Sequence, residues 1–194
     1  MALTPTELRI SLMDELCGPR GPDEVMAVHY INQGAPLGFD EQRRMSPLLR
    51  AAYMDAADVV TAILKKGVDI NQQNDHGWTA LMMAANRGNY KTVKLLCDLG
   101  ADMHRYGRFG ETAFNLVETP VDGQPRMDRH DKTMQELVYA QKLLNVRQAQ
   151  AEAEAALAGG RNAVAEIEAG AAGPVSVMRP LQLKSGQPKK GFSP

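Results

Sequence analysis

Few side chains in this sequence could perform acid–base chemistry or bind a metal ion. The histidines follow neither the H-E-x-x-H spacing of zinc proteases nor a Cys/His ligand spacing; they are His29, His76, His104 and His130. Asp75 and His76 are adjacent, but a turn in water gives a general base neither burial nor a third orienting group. Asp128, His130 and Asp131 could hold a metal ion, although we favour an acidic loop. We therefore predict no catalytic residue, no metal and no cofactor.

Composition and charge exclude several classes of protein. The 194 residues carry a net charge of -1, which gives no global attraction to nucleic acid or to an anionic membrane. No apolar stretch approaches the roughly 20 residues that span a bilayer, and the N-terminus lacks the pattern of a secretory signal. Cys17 and Cys97 are too few for a disulfide framework. We predict a cytoplasmic protein with no membrane span and no nucleic-acid partner; export by a specialised secretion system is the alternative.

A pattern with a period of 33 residues runs through the first two thirds of the chain. Residues 77–85 begin one copy, which ends at residues 100–102. Residues 46–52 and 67–69 are the matching segments of the copy before, and residues 110–116 begin the copy after. Such a period is typical of stacked units that cannot bury their apolar faces alone. Stacks of this kind mainly hold other macromolecules, so the period favours binding over catalysis.

Each central unit is predicted to contain two helices joined by a turn. The first helices begin near Ser46 and Thr79. The second helices end before glycines that suit a left-handed conformation, Gly67 and Gly100. The turns Asp55-Ala56 and Gly88-Asn89 are predicted to supply the N-caps of the second helices. The predicted buried rows of those helices are Val60, Ile63, Leu64, Val93, Leu96 and Cys97.

The outer units are degenerate copies of the central ones. A capping box at Thr4 opens a helix, and a second helix runs from Asp23 to about Gln33. In the fourth unit, Thr119 to about Asp131 is too broken by proline and glycine to be helical, so a capping box at Thr133 is predicted to start the second helix. Matching the apolar residues of that helix to the unit before implies a 14-residue insertion; they are Ala140, Leu143 and Leu144. The insertion is either a functional loop or a mobile one.

The C-terminal part has a different composition. Residues 146–170 are rich in Ala and Glu and predict a helical extension, interrupted at Gly159-Gly160. Residues 171–194 carry basic residues and no acidic ones, and they predict a disordered basic tail. This tail is only a weak signal for nucleic acid or lipid headgroups. The predicted repeat domain spans residues 5–145, with about four units.

The central unit resembles the ankyrin repeat. The similarity is strongest over residues 75–89 and continues through Val93, Leu96 and Gly100-Ala101-Asp102. Ala80 and Met82 depart from the proline and histidine of the family pattern. The resemblance covers about residues 22–118 well and residues 5–145 loosely. It implies an all-α ankyrin-repeat solenoid of helix pairs with hairpin loops, in which partner proteins bind the concave side.

The resemblance also implies which positions face a partner. They lie on the hairpin tips and on the exposed ends of the first helices, and they are Arg43, Met45, Tyr53, Met54, Asp75, His76, Trp78, Asn86, Arg87, Tyr106, Arg108, Phe109 and Glu111. Aromatic residues and arginine are enriched at binding hot spots, which favours a partner-binding surface. The alternative for the aromatic residues is packing between adjacent hairpins. Four arginines either form a positive stripe for an acidic partner or are scattered solvated charges: Arg43, Arg87, Arg105 and Arg108.

These observations support three functional hypotheses. The leading one is a non-catalytic protein–protein interaction module, either an adaptor or a stoichiometric inhibitor, that binds another protein of unknown identity. The second is a translocated effector, whose repeats bind a host protein and whose C-terminal tail is the export signal. The third is an enzyme with a site in the insertion at residues 119–131. The sequence leaves the oligomeric state open.

Overall fold

A computed structural model describes residues 3–18, 21–38, 45–119 and 128–171, with side chains described up to residue 157. The chain divides into two compact units, residues 1–147 and residues 148–194. The regular elements of the described residues are eight helices: α1 (Pro5–Cys17), α2 (Glu24–Asn32), α3 (Pro47–Tyr53), α4 (Ala57–Lys65), α5 (Ala80–Arg87), α6 (Tyr90–Asp98), α7 (Ala113–Glu118) and α8 (Asp128–Ala171). The prediction of an all-α fold built from helix pairs is confirmed.

The helices of the compact unit at residues 1–147 pack in two rows. The first helices α1, α3, α5 and α7 pack successively against one another, and the second helices α2, α4 and α6 form the other row. The alanine pairs Ala51-Ala52 and Ala84-Ala85 are fully buried in the first row. Their small side chains allow the neighbouring helices to approach closely, and close packing of this kind is the norm in protein cores.

The first helices begin where the sequence places their caps. Thr4 accepts a hydrogen bond from Glu7 N, and the Glu7 side chain accepts one from Thr4 N, which completes the predicted capping box. The hydroxyls of Ser46 and Thr79 accept bonds from the backbone N–H groups of Leu49 and Met82. The predicted starts of these three helices are confirmed.

The second helices differ from the prediction at their N-termini. Their N-cap residues are Ala56 and Asn89, and neither makes a side-chain capping bond. Asp55 instead takes a left-handed conformation (φ 59°), the conformation that Gly88 has in the next unit. The glycines after the second helices are also left-handed, as predicted: φ is 84° at Gly67 and 86° at Gly100.

The fourth unit has a different register from the predicted one. Helix α8 begins at Asp128, and Thr133 lies inside it with its hydroxyl donating to the Arg129 carbonyl, so the predicted start at Thr133 is wrong. Among the α8 residues whose side chains are described, His130, Thr133 and Leu137 are fully buried, and they repeat the spacing of the N-cap Asn89 and of Thr92 and Leu96 in α6. The shift is therefore 41 residues rather than 47, and the insertion has 8 residues rather than 14. The residues used for the predicted register, Ala140, Leu143 and Leu144, are only half-buried.

The C-terminal predictions have different outcomes. Residues 148–171 of α8 belong to the second compact unit, at residues 148–194. The helix includes Gly159 and Gly160, so the predicted interruption there is wrong. Residues 172–194 of the predicted basic tail and residues 120–127 of the insertion lie outside the described residues. No helix in the described part of the chain is long and apolar enough to cross a membrane.

Candidate protein-interaction surface

Two hairpin turns with the same geometry lie between the helix pairs. We call residues 73–78 the interior hairpin and residues 106–111 the terminal hairpin, because no described residue forms a further turn of this kind. In the interior hairpin Asn74 N donates to Trp78 O (3.1 Å), and in the terminal hairpin Gly107 N donates to Glu111 O (2.8 Å). Gly77 and Gly110, which occupy the same place in the two turns, have φ values of 74° and 84°. The predicted hairpins are confirmed.

The two hairpins are joined by three hydrogen bonds. Two come from side chains: Gln73 Nε2 donates to Tyr106 O (3.1 Å), and Trp78 Nε1 donates to Glu111 Oε1 (3.2 Å). The third is a backbone bond from Arg108 N to the His76 carbonyl (2.7 Å). These bonds hold the terminal hairpin against the interior one, so the two turns form one preformed surface.

Trp78 packs between the hairpins. Its side chain is only 9% exposed, and a Cβ added at Gly107 would lie 3.0 Å from its Cδ1 atom. Since Gly107 has no side chain, the indole can lie against the backbone of the terminal hairpin. The prediction that Trp78 presents its ring to a partner therefore needs correction, because the alternative of packing between hairpins is what the structure shows. Gly107, which faces Trp78 from the next repeat, is the residue in the sequence that indicates this packing.

The carboxylate of Glu111 stabilises the conformation of the terminal hairpin. Its carboxylate accepts the Trp78 indole N–H, and its second oxygen accepts Phe109 N (2.8 Å). Burial alone would raise the pKa of this carboxyl group. The backbone N–H groups of Glu111 and Phe109, the Trp78 indole and the charge of His76 outweigh that effect, so the pKa of Glu111 is lowered. The residue is half-buried and its carboxylate oxygens are engaged within the hairpins.

The tips of the two hairpins expose five of the seven partner-binding residues predicted on the hairpins. Phe109 is 81% exposed and Tyr106 is 68% exposed, among the largest values for apolar side chains in the described chain. Asp75, His76 and Arg108 are also exposed. The structure thus brings five predicted residues together on one rigid surface. Exposed aromatic side chains next to an arginine have the composition of a binding hot spot.

The predicted residues at the ends of the first helices are less accessible. Tyr53 is half-buried, with the guanidinium groups of Arg87 and Arg50 4.7 Å and 5.6 Å from its ring centroid. Met45 and Met54 are half-buried as well. Arg43 lies outside the described residues. Arg87 lies over an aromatic ring and Arg105 pairs with Asp102 (3.3 Å), which gives no support to the positive stripe.

Asn86 is buried, so its predicted role as an exposed contact is also wrong. It is 1% exposed, and its backbone carbonyl oxygen lies 3.2 Å from His130 Nε2. Since a carbonyl oxygen only accepts, His130 is the donor. His130 is itself fully buried, whereas Asp128 and Asp131 are exposed. The described residues contain no group of three or more potential metal ligands, and His130 joins α8 to the end of α5 instead.

The side chain of Asn89 has a structural role that the sequence did not reveal. Its Nδ2 donates to the carbonyl oxygens of Ala52 and Tyr53, both at 2.9 Å, and so joins α6 to the end of α3. His130 occupies the equivalent position of the fourth unit and makes the equivalent bond. Asparagine next to a glycine at a predicted turn is normally explained by capping, and this longer-range bond has no local sequence signal.

A groove between α6 and α8 contains the only described cysteine that is not on the surface. The lining includes Cys97, Lys94, Glu136, Tyr139 and Leu143. Burial raises the pKa of the Cys97 thiol to about 12, and the charges of Asp98 and Glu136 add to the effect. The thiol is therefore protonated at neutral pH and is a weak nucleophile, in agreement with its predicted packing role.

Comparison with known proteins finds similarity to ankyrin repeats. The family profile "Ankyrin repeats (3 copies)" matches residues 20–106. The chain is 42% identical over 73 residues to Ankyrin repeat and SAM domain-containing protein 6 of Rattus norvegicus, which is 37% of this chain and 8% of that protein. It is 38% identical over 87 residues to E3 ubiquitin-protein ligase XBAT32 of Arabidopsis thaliana, covering 44% of this chain and 17% of that protein.

A regulatory subunit is also similar to this chain. Protein phosphatase 1 regulatory subunit 12A of Mus musculus is 30% identical over 73 residues, which is 38% of this chain and 7% of that protein. The chain thus spans less than a fifth of the length of each of these three relatives. The similarity is one of repeat sequence, shared by proteins whose names indicate different activities.

Proposed function

We propose, from the match of residues 20–106 to the ankyrin-repeat family profile, that the chain is a non-catalytic protein–protein interaction module, an adaptor or a stoichiometric inhibitor. Its partner is another protein. The observation that carries the proposal is the exposure of Tyr106 and Phe109 on a hairpin that is fixed by hydrogen bonds. We place the binding surface at the hairpin tips, on the side that the ankyrin resemblance makes concave.

The rigidity of this surface favours tight binding. A partner that contacts a preformed loop does not have to order it, so less conformational entropy is lost on association. Gln73, Glu111 and the backbone of His76 already fix the terminal hairpin in the unbound chain. Two exposed aromatic rings on such a support resemble the anchors of known interfaces, where truncation of one residue costs about 2 kcal/mol or more.

An affinity pull-down from cells of the source would test this proposal. The bait would be the full chain, compared by quantitative mass spectrometry with a Tyr106→Ala, Phe109→Ala variant. We expect at least one protein to be lost from the variant. A Val25→Ala variant is the matched control, because Val25 is an exposed apolar residue on α2 and is also truncated without disturbing the core.

The outcomes separate a hairpin-tip surface from other binding sites. Partners lost with the aromatic variant and retained with the control support the proposal. An identical set of partners with all three baits would contradict the assignment of the surface. Unfolding midpoints of the two variants close to that of the unchanged chain would show that lost binding is not a folding defect.

The compartment is also a proposal. We propose that the module acts in the cytoplasm, and this is supported by two cysteines that are both free thiols in the structure. The effector hypothesis depends on residues 174–194, and the enzyme hypothesis depends mainly on residues 120–127. Both segments lie outside the described residues, and neither hypothesis gains support from the described part of the chain.

A further inference from the structure

The interior hairpin shows how a segment of extended chain binds to the edge of such a turn. The His76 carbonyl at this edge accepts the backbone N–H of Arg108. The residue before that donor, Gly107, lies against Trp78. The Gln73 side chain extends from the same edge and donates to Tyr106 O. The next segment is thus bound by the His76 carbonyl and the Gln73 side chain, and its Gly107 packs against Trp78.

The terminal hairpin repeats this edge 33 residues later. Phe109 stands at the position of His76, and Tyr106 stands at the position of Gln73. The turn bonds are the same, since Gly110 N donates to Gly107 O (3.1 Å) as Gly77 N donates to Asn74 O (2.9 Å). No described residue donates a hydrogen bond to Phe109 O, and its ring and that of Tyr106 are exposed. Among the described residues, the edge that is covered in the interior hairpin is therefore open in the terminal one.

We infer that this open edge binds an extended segment of a partner protein, whose backbone N–H donates to the Phe109 carbonyl and whose apolar side chains cover Tyr106 and Phe109. The inference rests on the proposed interaction function and names the form of the partner. It follows from continuity with the interface between the two hairpins, where a segment of that form already occupies the equivalent edge.

The chemistry of the edge limits what can occupy it. The N–H of Phe109 is already donated to Glu111, so this residue offers a partner only its acceptor. A regular helix uses its N–H groups internally beyond the first turn and has few left to donate, whereas an extended segment has one at every second residue. A proline at the matching position of the partner would remove the donor. The expected binding mode is the addition of extended chain to an exposed backbone edge.

The test uses peptides of defined origin. A phage-displayed random library of linear peptides of about 12 residues, which span roughly 40 Å when extended, would be panned against the full chain. Selected peptides would be counter-selected on a Tyr106→Ser, Phe109→Ser variant, with Val25→Ser as the matched exposed control. Synthetic copies of the retained peptides would then carry an N-methyl group at each backbone position in turn, with affinity measured by fluorescence polarisation.

We expect the peptides to bind the unchanged chain and the Val25→Ser variant equally. They should lose binding to the double variant, whose unfolding midpoint should be unchanged. N-methylation at one position should weaken binding by about tenfold, since it removes the donor and leaves a desolvated carbonyl without a partner. N-methylation at the positions on either side should have a much smaller effect, because those N–H groups point away from the edge.

Other outcomes overturn the inference. An unproductive selection, or peptides that bind the double variant equally well, would contradict it. Peptides that need Tyr106 and Phe109 but tolerate N-methylation everywhere would refute the backbone bond and leave the proposed interaction function standing. Concentration-dependent self-association of the chain that the double variant abolishes would assign the edge to a second copy instead. Failure of the proposed function itself would appear in the pull-down, as an unchanged set of partners.

Discussion

The interior and terminal hairpins have the same turn, but they differ in how far their aromatic side chains are exposed. In the interior hairpin the aromatic residue is Trp78, which is buried against Gly107, and the backbone carbonyl of His76 accepts a hydrogen bond from the next hairpin. In the terminal hairpin Tyr106 and Phe109 are exposed, and no described residue donates to the equivalent carbonyl. Within the described part of the chain, an aromatic side chain on a hairpin is thus buried where another hairpin follows and exposed where none does.

The second helices of these two repeats differ in residue type but keep the same bond. Asn89 at the N-cap of α6 and His130 in α8 occupy equivalent positions, and both donate to carbonyl groups at the end of the preceding first helix. An asparagine and a histidine can fill this position because each presents an N–H at similar reach. The fourth unit thus keeps the bond although its loop is longer.

The largest expected difference between the two hairpins is in stability. Trp78→Ala should lower the free energy of unfolding by about 3–5 kcal/mol, because it removes a buried aromatic ring and leaves a cavity. Phe109→Ala should change it by less than about 0.5 kcal/mol, since the ring is exposed. Urea denaturation monitored by circular dichroism measures both values. Equal effects of the two substitutions would contradict the assignment of Trp78 to packing and Phe109 to the surface.

A second comparison tests the register of the fourth unit. Leu96→Ala in α6 should destabilise the chain by about 2–5 kcal/mol, and Leu137→Ala in α8 should have an effect of the same class because both residues are fully buried. Leu144→Ala is the matched control, since Leu144 is only half-buried. A larger effect at Leu144 than at Leu137 in the same denaturation experiment would restore the 47-residue shift.

Asn89→Ala should have an intermediate effect. It removes two hydrogen bonds and leaves the carbonyl groups of Ala52 and Tyr53 with one partner fewer, which should cost about 1–3 kcal/mol. Asn89→Asp is the matched control, because a carboxylate cannot donate to these carbonyls, and it should be at least as destabilising. A wild-type denaturation midpoint for both variants would show that the Asn89 side chain does not stabilise the contact between α6 and the end of α3.

The smallest expected effect is a dependence on pH through Glu111. Because the folded state lowers the pKa of this carboxyl group, its ionised form contributes stability above the unfolded pKa of about 4.3. That contribution is lost as the pH falls through the lower folded value. Trp78 is the single tryptophan of the chain, so its fluorescence should change as Glu111 becomes protonated. Glu111→Gln should remove this transition; a transition that persists in the variant would assign it to another group.

Much of the fold was predictable because its signals are local. The capping residues Thr4, Ser46 and Thr79 and the left-handed glycines after the second helices depend on a few neighbouring residues, and all were placed correctly. Of the predicted buried rows, Val60, Ile63, Val93 and Leu96 are buried because they follow the helical period, whereas Leu64 and Cys97 are only half-buried. Hairpin positions of the binding surface came from the family pattern, and five of them are exposed together.

The failures share a physical cause. His130 and Thr133 are polar, and their burial depends on a carbonyl supplied by α5 and on a bond within α8, which sequence periodicity does not show. The apolar residues of α8 therefore suggested the wrong register. The backbone carbonyl of Asn86 likewise accepts a hydrogen bond from His130 of α8, which follows an insertion of different length from the one predicted.

The sequence by itself determined the repeat, the helix pairs and the hairpin turns, because caps, glycines and apolar periodicity act over a few residues. The tertiary structure decided which edges and side chains those repeats leave open. Trp78, Tyr106 and Phe109 are alike in type and all lie on hairpins, yet one is core and two are surface. Burial depends on whether another part of the chain covers a residue, and among the described residues no further hairpin covers the terminal one.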